Sequence, residues 1–207
     1  DDADGICDTG GPSADCSRGI RGQDMCPLST IGFISHQGND IDGDGCEDLT
    51  EDFDDDGDGY LDENDGCPMI FGSSSQGGVL GCLDLDGDGW AESVDAFVYD
   101  GTQWSDIDED GYGDNAEGND ADGCVSIAGD SLYDRLGCRD SDGDGWSNPD
   151  TSYTAEDGAD AFPSDDTQWF DRDADGYGDE EFGNEADDCP DVFGTSMVDR
   201  LGCLDSD

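Results

Sequence analysis

The chain has 207 residues, of which 58 are Asp or Glu and only six are Arg, with no Lys, for a formal net charge of −52. Self-repulsion of that size opposes any compact state unless cations neutralise it, and it excludes nucleic acid, whose phosphates would be repelled. Hydrophobic residues make up 32% of the chain, too few for an apolar core to hold it alone, and no run approaches the ~20 apolar residues of a membrane span.

Residues 1–39 read as a cysteine-containing N-terminal cap carrying Cys7, Cys16 and Cys26. From residue 40 onward six segments fit Asp-x-Asp-x-Asp-Gly-x-x-(Asp/Glu/Asn). In order they are Asp40, Asp42, Asp44 and Asp48; Asp54, Asp56, Asp58 and Asp62; and Asp84, Asp86, Asp88 and Glu92. Then come Asp106, Asp108, Asp110 and Asp114; Asp140, Asp142, Asp144 and Asn148; and Asp171, Asp173, Asp175 and Asp179. Carboxylates at positions 1, 3 and 5 of a tightly curved loop converge on one point, and glycine at position 6 permits the turn. Six to eight oxygens at about 2.3–2.6 Å is what a hard cation such as Ca²⁺ requires, and Mg²⁺ fits less well because it keeps its waters. A carboxylate at position 12 supplies a closing ligand in four motifs, as Glu51, Asp65, Asp95 and Glu117, whereas the fifth and sixth carry Thr151 and Phe182 there. At least six Ca²⁺ ions are expected.

The chain is internally duplicated. Residues 95–114 align without gaps on residues 160–179, and the same offset of 65 carries Asp134-Arg-Leu-Gly-Cys138 onto Asp199-Arg-Leu-Gly-Cys203. The organisation expected is a short calcium repeat over 40–83, a second over 84–139, and a third over 140–204 lengthened by nine residues between Trp146 and Asp160. The start of a further motif follows at 205–207. Helical and alternating periodicities are nearly absent, while Asp-Gly turn signals recur throughout. The fold class expected is irregular, mostly loops and turns with few short strands.

Ten cysteines beside a single histidine, His36, favour structural disulfides over zinc, and hence an oxidising, extracellular setting. Three loops share one design, which pairs Cys67 with Cys82, Cys124 with Cys138 and Cys189 with Cys203; Cys26–Cys46 and Cys7–Cys16 complete the set. Closing about 15 residues stabilises by roughly 3 kcal/mol each. Aromatics follow the motif glycine in five cases, at Tyr60, Trp90, Tyr112, Trp146 and Tyr177, and are expected to pack one loop on the next.

The run Asp54-x-Asp-x-Asp-Gly-x-x-Asp-x-x-Asp-x-Cys-Pro68 resembles thrombospondin type 3 repeats, a resemblance that covers roughly residues 40–207. It implies a chain wound around a line of Ca²⁺ ions and crosslinked by disulfides. Flanks rich in Gly, Pro and Cys do not provide the helices of an EF-hand.

The chain opens with Asp2, Asp4 and Asp8 around Gly5 and closes with Asp205-Ser-Asp207. Joined head to tail, these acids would complete an intersubunit Ca²⁺ site and give a homopolymer; a fragment of a longer array explains the same ends. No nucleophile accompanies His36, and no enzyme is expected. The function expected is an extracellular structural protein, a filament, stalk or surface-layer subunit stiffened by Ca²⁺. The alternatives are a Ca²⁺-dependent module binding glycans, proteins or other cell-surface components, and a spacer of a larger secreted protein.

Overall fold

Glycine and aspartate dictate the backbone. The computed structural model describes residues 25–26 and 33–205; the expected Cys7–Cys16 pair and the acids Asp2, Asp4, Asp8 and Asp207 lie outside the described residues. Among the described residues the only helical element is a single 3₁₀ turn, Ala155–Asp157. Strand pairing among them is limited to two isolated parallel bridges, Gly113 with Ala121 and Gly178 with Ala186. The rest of the described residues are turns and loops, as the absence of periodicity predicts. By internal contacts the chain forms two compact units, Asp1–Gly101 and Thr102–Asp207.

Four disulfides staple these loops: Cys26–Cys46, Cys67–Cys82, Cys124–Cys138 and Cys189–Cys203. The last three close loops of one build. The carbonyl of the second cysteine accepts two successive N–H groups, from Ser73 and Ser74, from Asp130 and Ser131, and from Thr195 and Ser196, all near 3.0 Å. In the first two of these loops the serine hydroxyl then accepts the N–H of that same cysteine, Ser74 from Cys82 and Ser131 from Cys138.

Small and polar groups fill the interior. Fully buried positions include Ala91, Ala159, Ser74, Ser131 and Ser147, and the largest fully buried side chains are Gln103 and Gln168. Each glutamine spends its amide on the chain about 12 residues ahead. Gln103 Oε1 accepts the Asn115 N–H, and its Nε2 donates to the carbonyls of Asn115 and Asn119. Gln168 makes the same three bonds to Glu180 and Asn184. A buried amide with its hydrogen bonds satisfied costs little, which an unpaired one would not. In the second unit Trp146 packs edge-on against Phe170 at 4.6 Å and stacks on Trp169 at 6.5 Å. Tyr133 lies 5.9 Å from Trp146, tilted by 52°. These rings pack loop on loop.

The motif glycines carry the curvature. At position 6 all six have φ between +95° and +101°, from Gly111 to Gly59. Position 4 is left-handed as well: Gly43, Gly57, Gly87 and Gly143 occupy it in four motifs, but Glu109 (φ +63°) and Ala174 (φ +61°) occupy it in the other two. A left-handed L-residue is strained by roughly 1–2 kcal/mol, offset in glycine by about 0.5–1 kcal/mol of extra chain entropy. Ala174→Gly is therefore expected to stabilise the folded protein by about 0.5–1 kcal/mol. The check is the melting midpoint, which should rise by roughly 1–4 °C for a chain this size; a fall would contradict the strain.

Candidate metal centres

Local hydrogen bonds shape each motif in the same way. The first aspartate accepts the N–H of the position-6 glycine, as in Asp54 from Gly59 at 3.1 Å and Asp140 from Gly145 at 2.7 Å. The position-5 aspartate accepts the N–H two residues on, as in Asp88 from Trp90 at 2.7 Å. Position 9 donates its N–H to the carbonyl just before the motif in all six: Asp48 to Asn39, Asp62 to Phe53, Glu92 to Leu83, Asp114 to Ser105, Asn148 to Arg139 and Asp179 to Phe170. In five of them its side chain also accepts the position-2 N–H. In those five, position 9 thus spends one oxygen on closing the loop.

These bonds aim carboxylates at each other. Within Asp40/Asp42/Asp44, Asp54/Asp56/Asp58 and Asp84/Asp86/Asp88, one oxygen from each residue lies within 4.8 Å of the others. In the remaining motifs the same neighbours act electrostatically, Asp106 and Asp110 on Asp108, Asp140 and Asp142 on Asp144, and Asp171 and Asp175 on Asp173.

A fourth carboxylate joins each group, and one backbone bond identifies it. Asp65 donates its N–H to Leu61, Asp95 to Ala91, Asp122 to Gly113, Asp160 to Ser147 and Asp187 to Gly178, at 2.8–3.0 Å. In every case the acceptor is the position-8 carbonyl. Each of these aspartates then accepts, through Oδ1, the N–H two residues ahead at 2.7 Å: Cys67, Phe97, Cys124, Phe162 and Cys189. The other oxygen is left for the site. In the first motif Glu51 and Asp52 both donate to Glu47, the position-8 residue, at 3.1 and 3.3 Å. Asp52 makes the onward bond, to the Asp54 N–H, and both acids line the open cavity beside Asp42 and Asp44.

Asp65 and Asp95, expected at position 12, are thus brought to their motifs. Glu117, expected to close the fourth motif, is exposed and is not brought there; Asp122 is, 7% exposed and at position 17. The fifth and sixth motifs, which lack an acid at position 12, receive Asp160, fully buried, and Asp187, 8% exposed. Sequence reasoning missed Asp52, Asp122, Asp160 and Asp187. The signal for three of them was present: Asp122 and Asp187 precede a cysteine by two residues as Asp65 does, and Asp160 opens the duplicated Asp-Ala-Phe as Asp95 does.

The nine-residue insertion before Asp160 is held by one cation. Arg135 pairs with Asp150 at 2.6 Å, reaches the Ser147 hydroxyl and the Asn148 carbonyl, and lies 4.5 Å over the Tyr153 ring. The segment folds back on itself, and Asp160 meets Ser147 as Asp95 meets Ala91.

Taken together, the donor set is made of hard oxygens, and the described residues alone do not satisfy it. Oδ2 of Asp52, Asp122, Asp160 and Asp187 is buried without a hydrogen-bond partner, as are oxygens of Asp56, Asp86, Asp108, Asp142 and Asp173. Two carboxylates 4 Å apart repel by about 4 kcal/mol in a protein-like medium. Burial, followed by neighbouring carboxylates, pushes Asp42 and Asp160 up to about 7 and Asp144 up to about 6. Groups of this kind fit a divalent cation bound through oxygen. Cys46, although near Asp44 and Asp52, is committed to its disulfide. His36 is exposed and accepts the Gly38 N–H.

No helix among the described residues is long and apolar enough to cross a membrane. No family model and no curated protein matches the chain.

Proposed function

We propose that this is an extracellular structural protein whose Asp-rich motifs, arranged as tandem repeats, bind Ca²⁺ and thereby stiffen the chain as a filament, stalk or surface-layer subunit. One observation carries the reading: at the motifs, carboxylate oxygens are buried together with no hydrogen-bond partner among the described residues. A buried unpaired anion is costly, so the arrangement is one that a bound cation stabilises. The interior supports the same view, since side chains as polar as Gln103 and Gln168 are its largest fully buried members. Four disulfides suit an oxidising compartment. The resemblance to thrombospondin type 3 repeats agrees with Ca²⁺ as the ion, and extracellular modules of this kind bind at about 10⁻⁴–10⁻³ M, which suits a structural ion rather than a signal.

The test is a Ca²⁺ titration of the oxidised, EDTA-treated chain, following tryptophan fluorescence and hydrodynamic radius together. Cooperative compaction at millimolar Ca²⁺ is expected, and growth of particle size with protein concentration would mark self-assembly. Compaction without growth would leave a monomeric stalk. A radius that does not respond to Ca²⁺ would overturn the reading.

A further inference from the structure

Within the first unit, one cluster of carboxylates gathers where the first motif meets the second: Asp48 at position 9, Asp52, the first motif's closing acid, and Asp55. Asp55 stands at position 2 of the second motif, where the other five motifs carry Ile41, Leu85, Ile107, Ser141 and Arg172. It is only 5% exposed, and its Oδ1 is buried with no hydrogen-bond partner. Asp48, 8% exposed, and Asp52 lie beside it, with one oxygen of each of the three residues within 4.8 Å of the other two.

The backbone of both motifs holds this group in place. Asp48 Oδ1 accepts the Ile41 N–H at 3.1 Å, and the Asp55 N–H donates to Asp62 Oδ1 at 3.0 Å. Asp52 Oδ1 takes the N–H groups of Phe53 and Asp54 at 2.7 and 3.0 Å, which leaves its Oδ2 buried and unpartnered. The described residues of the first unit include no Arg or Lys that could neutralise them. Three converging carboxylates, two of them more than nine-tenths buried, are therefore left without a counter-charge among the described residues of that unit.

We propose that Asp48, Asp52 and Asp55 bind a further divalent cation, additional to the ions of the six motifs, which ties the first motif to the second. The ligands are all carboxylate oxygens, so the cation is a hard one; its identification as Ca²⁺ rests on the function proposed above. Asp48 contributes from the first motif and Asp55 from the second, while Asp52, grouped with Asp44 as well as with Asp48 and Asp55, is shared with the first motif's own group, so one ion bridges three points along the chain.

The experiment counts Ca²⁺ per intact, oxidised chain by native mass spectrometry at saturating Ca²⁺. It compares the wild type with Asp55→Asn, Asp54→Asn and the double variant. Asp55→Asn is expected to carry one ion fewer than the wild type, and the double variant one fewer than Asp54→Asn. An unchanged count in Asp55→Asn would overturn the proposal. So would a double variant that holds as many ions as Asp54→Asn, because Asp55 would then serve only the second motif's own ion. In both of those results the wild type still binds Ca²⁺ and the proposed function stands; a wild type that binds none would overturn both.

Discussion

Asp160→Asn is expected to weaken Ca²⁺ binding at the fifth motif at least tenfold, about 1.4 kcal/mol, and Asp122→Asn to do the same at the fourth. Glu117→Gln, by contrast, is expected to leave affinity within about twofold. The two asparagines keep the shape of the side chain and the Oδ1 bond to the N–H two residues on. What they remove is the negative charge on a group that is buried and faces three other aspartates of its motif. Glu117 is exposed, so neutralising it changes little beyond a screened surface charge. Calorimetric Ca²⁺ titration of the three variants decides the matter. Equal losses in Glu117→Gln and Asp122→Asn would mean that position 12 closes the fourth site after all.

The second large effect is on pH, and its sign depends on whether Ca²⁺ is present. In the cation-free protein burial is the main cause that raises Asp42 and Asp160 to about 7, and Asp55 and Asp144 to about 6, from an ordinary 3.8; neighbouring carboxylates add to it. A carboxyl whose folded pKa is raised holds its proton more tightly in the folded state than in the unfolded one. Its contribution is complete below about pH 4 and disappears as pH rises through 6 to 7. Asp150 runs the other way: its bonds to Arg135 and Ser152 hold it well below the usual range, and its contribution is lost only in stronger acid. The EDTA-treated chain should therefore melt highest near pH 4–5 and lower at pH 7. With Ca²⁺ the order reverses, because the cation takes the deprotonated site and displaces the proton. Affinity should rise by up to about tenfold per pH unit below the pKa of each such group. Melting curves at pH 4.5 and 7, with EDTA and with excess Ca²⁺, provide the check; a cation-free protein more stable at pH 7 would contradict it.

Much of this site was legible because it is local. Positions 1, 3, 5 and 6 lie within one turn of chain, and the bond from Asp54 to Gly59 needs nothing beyond that turn. Loop character and the stapling of Cys67 to Cys82 followed from composition and from loops that recur. The closing acid is different, because its place is set by a bond across the motif to the position-8 carbonyl. Asp65 and Asp95 satisfy it at position 12, while Asp122 and Asp187 satisfy it at 17 and Asp160 at 21. A search at fixed spacing finds the first two and passes over the rest. The buried glutamines were hidden for another reason. Gln103 reads as an ordinary polar residue until the chain 12 to 16 residues ahead folds over it.

The bond from the closing aspartate to position 8 also separates the chemistry of the site from the length of the chain that builds it. Between Asn148 and Asp160 a whole excursion leaves the loop, turns through Ala155–Asp157 and returns to the position-8 carbonyl of Ser147, the counterpart of the Ala91 carbonyl that the shorter arm of the third motif reaches. Evolution can therefore lengthen or shorten that arm, and decorate its outer surface, without redesigning the carboxylate cluster beneath it.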